Sequence, residues 1–186
     1  ADPYWTLVCY YNSLRELGGM QSSLAHRIKR EWIPLFSGGQ ESGEGVRKLG
    51  EIVELTSRVP QDLLVSSKMK MENDLDSGSS VDVVVTSKMF EVGIDISRLG
   101  IMTVNGQPKS NSEYIQASGR VGRRYPGLVV SMLRSTFPRD QSHYENHRSF
   151  HQEMYRHVDR TSTTPFSLRS LDRALDTTLM ALVRLV

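Results

Sequence analysis

Cysteine is nearly missing from this chain of 186 residues, with Cys9 the sole one. No internal disulfide can form, which predicts a reduced, cytoplasmic setting and leaves Cys9 as a small core residue. No apolar run reaches the roughly 18 residues that a membrane-spanning helix needs. The opening, ADPYWTLVCYYNS, has no basic stretch and no cleavable apolar segment, so it does not read as a signal peptide. It passes almost at once into a strand pattern, and a piece of a longer protein is expected. Two further absences concern chemistry. No Gly-x-x-x-x-Gly-Lys-Ser/Thr loop is present to cradle phosphates. The glycine-rich SGGQESGEG at 37–45 has no such Lys-Ser/Thr after it. There is also no Asp-Glu dipeptide that could hold magnesium.

What is present is ordinary in bulk and uneven in detail. Hydrophobic residues make up 38% and charged residues 24%, the balance of a globular domain long enough to bury a core. The length suits one domain, or one domain with an appendage. The net charge of +2 hides an asymmetry. Residues 1–119 carry 12 Lys+Arg against 15 Asp+Glu, whereas residues 120–186 carry 11 Arg against 6 Asp+Glu. The guanidinium fork suits phosphate and carboxylate, so a polyanion partner is one reading, and a solvated basic face is the other.

Strand and helix patterns alternate along the chain. WTLVCYY is a compact β-branched and aromatic run, read as a strand. A helical stretch follows, with Leu14, Leu17, Leu24, Ile28 and Trp32 roughly on one face, and the Gly18-Gly19 pair is expected to kink or divide it. EIVELTS is the next strand, and Pro60 opens a helix to about Leu75. VDVVVTS is near-continuously β-branched, as a strand covered on both faces should be. LGIMTVNG and GLVVSML are further strands, with a helix over SNSEYIQASG between them, its first turn holding Glu113. Two helical stretches, about 140–158 and 167–185, close the chain. The order predicts an α/β fold, a mostly parallel sheet between helices, with its ligand beyond the carboxyl ends of the strands.

Two segments carry the chemistry. VVVTSKMFEVGIDI leaves a strand and turns through Gly93 to Asp95, and YIQASGRVGRR ends a helix about two dozen residues later. Both are expected to project from one edge of the sheet. Together they resemble motifs V and VI of the second RecA-like domain of superfamily two helicases. The matching residues are Thr86, Gly93-Ile94-Asp95 and Gln116-Ala117-Ser118-Gly119-Arg120-Val121-Gly122-Arg123. TLVCYYNS resembles motif IV, and VELTSR stands where motif IVa would lie. The resemblance implies a RecA-like three-layer sandwich over residues 1–137, with residues 138–186 as a helical extension.

It also implies roles. Arg120 and Arg123 would act as arginine fingers on a γ-phosphate, where they offset the charge that phosphoryl transfer spreads over its oxygens. Gly119 and Gly122 would let the backbone pass close and aim both side chains. Gln116 would couple nucleotide to nucleic acid, Asp95 would meet the ribose or Arg123, and Gly93 would permit the turn beneath it. Thr86 and Ser87 would offer hydroxyls and amides to the nucleic-acid backbone, with Asn12, Ser13, Thr56, Ser57 and Arg58 along the same strand. ATP and Mg2+ are implied for the longer parent, held mainly by an upstream RecA-like domain. The isolated chain, without a phosphate loop, is expected to be inactive: it should not hydrolyse ATP efficiently and should bind it weakly if at all. A non-catalytic nucleic-acid-binding or scaffold module with a helicase-like fold is the alternative.

Ala117 stands where many family members carry arginine; the variant QASGR resembles reverse-gyrase-like and related DNA-directed branches, and that implies DNA more than RNA as partner. In the tail, the pattern RD-SHYE, YR-V and TPF over 139–166 resembles helicases of bacterial antiphage islands of the DISARM type. His143, His147 and His151 recur every four residues. Glu145 falls outside a His-Glu-x-x-His pattern and no cysteine is near, so a polar or packed helix face is expected rather than zinc. Tyr144, Arg148, Phe150, Tyr155 and Arg156 suit either stacking on bases or packing on the core. Leu171, Leu175, Leu179, Leu182 and Val183 form a stripe that should bury against the domain or the rest of the parent.

Overall fold

The computed structural model describes residues 2–24, 26, 30, 49–73, 75, 80–87, 95–158, 164 and 166–185. Five strands, β1 (Leu7–Tyr11), β2 (Glu51–Leu55), β3 (Val81–Thr86), β4 (Ile101–Asn105) and β5 (Leu128–Met132), form one sheet in the order β2-β3-β1-β4-β5. Every pairing is parallel. β3 and β1 lie inside the sheet, and all six residues of β3 are buried. This is why VDVVVT is β-branched without alternation: both of its faces are covered.

Side-chain alternation divides the core into two layers. Val8 and Tyr10 of β1 point to one side, where they meet Val53, Leu55, Met102, Val104, Tyr114 and Phe150. Cys9 and Tyr11 point to the other, against Leu17, Leu24, Val83 and Val85. Burial raises the Cys9 thiol pKa, a hydrogen bond from Thr103 pulling the other way. The strand register slips between Glu51 and Ile52. There the carboxylate of Asp82, buried within β3, accepts the N–H of Gly50. The slip lets Val81 and Val84 serve one layer while Val83 and Val85 serve the other.

The helices obey their caps. In α1 (Leu14–Ser23) the Ser13 hydroxyl accepts the N–H of Glu16. Gly18 and Gly19 neither kink nor divide this helix, because Leu17 and Met20 anchor it to the sheet and the glycines face open space. Ile28, Trp32 and the 37–45 loop lie outside the described residues. Pro60 caps α2 (Gln61–Glu72), which ends three residues before the expected Leu75, where Asn73 turns extended. Ser110 caps α3 (Asn111–Ser118), and Glu113 in its first turn accepts the Tyr10 hydroxyl at 2.7 Å. Pro138 opens α4 (Pro138–Glu145), followed by α5 (His147–Gln152) and a 3-10 turn at Met154–His157. Phe150 enters the core and meets Tyr114 edge-on, so this part of the tail packs back on the sheet. Tyr144 and Tyr155 stay exposed. The stripe of α6 (Leu168–Leu185) buries none of its residues among those described. No helix among the described residues is long and apolar enough to cross a membrane.

Candidate functional site

The residues singled out by sequence fall on two opposite edges of the sheet. The expectation that both motif segments project from one edge holds for Asp95 and Arg123, which meet, and fails for Thr86 and Ser87. Thr86 and Ser87 end β3 at its carboxyl edge. Asp95 lies at the amino edge, shortly before β4, where it meets Arg123. In a parallel sheet a chain leaving one strand must travel back to the amino edge before the next begins. Gly93 lies outside the described residues.

The amino edge is built by the loop between α3 and β5. Gly119 caps α3 with φ −69, so it does not use the freedom expected of it. Gly122 does, with φ +78. Its N–H donates to the Leu99 carbonyl at 2.8 Å, and the Leu128 N–H reaches the Gly100 carbonyl at 2.8 Å. A Cβ on Gly122 would stand 2.8 Å from the Gly127 nitrogen, so the two ends of the loop touch there. Arg120, Arg123 and Arg124 all lie in this loop. Arg123 pairs with Asp95, both side chains about a third to a half exposed. A pair so wet adds at most about 1 kcal/mol to stability, so its effect is to orient the guanidinium. Arg120 is half-buried and has no side-chain partner among the described residues. Arg124 rests over the ring of Tyr125. Gln116 is exposed one turn earlier. Three guanidinium groups on one exposed turn, with one carboxylate beside them, make a surface for a polyanion such as a phosphate chain.

The carboxyl edge collects the other candidates in strand order. Thr56, Ser57 and Arg58 follow β2, Thr86 and Ser87 finish β3, and Asn12 and Ser13 follow β1. Ser13, Ser57 and Arg58 are exposed. Thr86 departs from its expected part: it is fully buried and its hydroxyl donates to the Leu55 carbonyl at 2.9 Å. The hydroxyls of Thr56 and Thr86 thus turn inward, and only backbone groups there remain for a ligand. Thr56 is buried and bonds Glu54, which also takes Arg58 and Gln21. Arg58 foremost, together with Thr56 and Gln21, pushes the Glu54 carboxyl down to about 2. Ser87 is buried too. Asn12 donates to the carbonyls of Asn105, Gly106 and Gln107 at 3.1 to 3.3 Å, so it ties the end of β1 to the end of β4.

Beside Asn12 stands a polar knot that no sequence pattern marked. Asp140, 3% exposed, accepts the N–H groups of Gln107 and Arg134, each at 2.9 Å. Arg134 donates to Glu16 at 2.7 Å and lies 4.1 Å over the ring of Phe137. The contacts Gln107–Asp140 and Glu16–Arg134 span 33 and 118 positions of the chain, a separation over which no local spacing carries a signal. His143, His147 and His151 do not form a group of three ligating side chains, and no such group is found among the described residues.

Comparison with known proteins fits this geometry. Residues 50–125 match the family described as the helicase conserved C-terminal domain. The chain is 43% identical to the DISARM protein DrmA of Bacillus paralicheniformis over 99% of its own length, and covers 16% of that protein. It is 32% identical to the uncharacterized ATP-dependent helicase YprA of Bacillus subtilis over 42% of its length, covering 10% of YprA. Among solved structures, the DUF1998 helicase MrfA bound to DNA superposes with a TM-score of 0.63 at 20% identity, over 91% of this chain and 19% of MrfA, which shows a shared fold. The chain thus spans under a fifth of the length of these relatives. Its parallel sheet, its arginine-bearing loop after α3 and its match over residues 50–125 make the chain similar to the helicase conserved C-terminal domain, with a RecA-like fold.

Proposed function

We propose that this domain works within an ATP-dependent DNA helicase or translocase, offering Arg120 and Arg123 to a nucleotide held mainly by an upstream RecA-like domain. The observation that carries this is the exposed Arg123–Asp95 pair beside the positive-φ turn at Gly122. ATP with Mg2+ supplies the phosphoryl group when bound. The residues of this edge fit the phosphate end of such a group and nothing more, since guanidinium donors are present and a phosphate loop is not. Arg123, held by Asp95, and Arg120 offset negative charge on phosphate oxygens; Gly122 shapes the turn that carries them; Gln116, exposed one turn earlier, couples nucleotide to nucleic acid. Gly119 ends the helix so that the turn can begin.

At the opposite edge, Ser13, Ser57, Arg58 and the backbone at Thr56, Thr86 and Ser87 form part of a nucleic-acid track, with Asn12 holding its floor. That MrfA was crystallised on DNA supports DNA as the strand. Two edges on one rigid sheet let a change at the nucleotide be felt at the strand. Residues 138–186 belong to this proposal as an extension, clamped by Asp140 and Phe150. The test is ATP turnover by the longer protein, with and without single-stranded and duplex DNA, beside Arg123→Ala. Loss of an arginine finger lowers turnover by about 10³ to 10⁵. Unchanged turnover in the variant would overturn the assignment, and no turnover in either would favour a binding scaffold.

A further inference from the structure

A cavity of about 410 Å³ opens between β5 and the α4–α5 pair. Its walls include Gln107, Tyr114, His143, Tyr144, His147 and His151. Five of these six carry rings, and none of the residues lining the cavity is Lys, Arg, Asp or Glu. Such a lining has no Lys or Arg to hold a phosphate and much to hold a neutral, flat, heteroaromatic group.

One wall is fixed. The Nδ1–H of His151 donates to the His147 carbonyl at 2.8 Å, and its Nε2 is in hydrogen-bond contact with the Tyr114 hydroxyl at 3.2 Å. Tyr144, 74% exposed, is the free ring at the mouth. Burial, foremost, lowers the His143 pKa, with Arg139, His151 and His157 adding to the effect and Asp140 opposing it. The ring of His143 is therefore neutral near pH 7. Gln107 is 4% exposed and its side-chain amide nitrogen has no hydrogen-bond partner. A hydrogen-bond acceptor on a ligand edge would meet that need.

The cavity also lies in line with the proposed track. The Asn12 amide donates to the Gln107 carbonyl at 3.3 Å, so track and cavity share a wall. In the sheet order, β5 is two strands beyond β1, a distance of about 10 Å. A stacked strand rising about 3.4 Å per nucleotide covers that in roughly three steps.

From this placement we propose that the cavity receives a single unstacked base of the nucleic-acid strand leaving Asn12 and Ser13, with Tyr144 stacking on it. This rests on the reading of the carboxyl edge as a track. Bases splayed out of a strand and stacked on Tyr or His rings are a common mode of single-strand binding.

The test uses the whole chain and single-stranded DNA carrying one fluorescent aminopurine base, moved position by position. At one position the fluorescence should quench on binding. An abasic site at that position should weaken binding about 5- to 150-fold, the range of one stacked base. Tyr144→Ala should abolish the quenching and weaken binding to a similar degree, and His147→Ala, also an exposed ring, should weaken the quenching. Circular dichroism should confirm that both variants keep their fold. Adenosine monophosphate at millimolar concentration should not displace the strand or reproduce the quenching. Salt-sensitive binding with no quenched position and no abasic effect would overturn the base cavity while leaving the track standing. Absence of salt-sensitive binding would overturn both. Displacement by the mononucleotide would assign the cavity to a free nucleotide instead.

Discussion

Replacing Gly122 by alanine separates two glycines that look alike in sequence. At Gly122 the backbone has φ +78, which costs a residue with a Cβ about 1–2 kcal/mol. The added carbon would also stand 2.8 Å from the Gly127 nitrogen and 2.9 Å from the Gly127 Cα. Both are backbone atoms, so no side-chain rotation relieves the contact. The loop must open, straining the hydrogen bond from Gly122 to Leu99, worth about 1 kcal/mol. Together these give a loss of about 2–4 kcal/mol. At about 2–4 °C per kcal/mol for a chain of this size, Tm falls by about 5–15 °C. At Gly119 the backbone is ordinary, and an added Cβ meets only the Ile115 carbonyl at 3.0 Å. Gly119→Ala should stay within about 1 kcal/mol of the parent chain, because the reduced freedom of the unfolded chain offsets that contact. Thermal unfolding followed by circular dichroism decides it. A Gly122→Ala variant melting within about 2 °C of the parent, or a Gly119→Ala variant falling as far, would refute this account of the loop.

Other perturbations probe the remaining supports. Asp140→Ala strips one buried and one part-buried N–H group of their acceptor and should cost about 3 kcal/mol, seen as a lower urea midpoint at unchanged slope. The Glu54 carboxyl is held at about 2, below its ordinary 4.5. Its stabilisation is full above about pH 5 and is lost as pH falls through 2, so Glu54→Gln should flatten the acid limb of a stability–pH profile. Removing residues 166–186 should move Tm by less than about 2 °C, since α6 buries nothing among the described residues. A larger drop would mean that its apolar stripe packs on the domain.

Much of the architecture could be read from local pattern. The β-branched run of β3 announced a strand covered on both sides, and Ser110 marked the start of α3. The chain order predicted the parallel sheet. Boundaries were less legible, because α1 passes through Gly18 and Gly19 on the strength of Leu17 and Met20, which are tertiary contacts. The arginines of the loop after α3 were legible because glycine and arginine alternate within five residues.

The sequence by itself determined which residues gather: the Gly-Arg cluster, the Gly-x-Asp turn and the polar strand ends, each set by short-range spacing that survives any packing. The tertiary structure decided where they point. It sent Asp95 and Arg123 to one edge and Thr86 to the other, since a parallel sheet forces the chain to cross between strands. It turned the hydroxyls of Thr56 and Thr86 inward, and it assembled Asn12, Glu16, Gln107, Arg134 and Asp140 into one knot. Contacts between residues so far apart in the chain depend on how strands pair and helices cover them, and no local pattern encodes that.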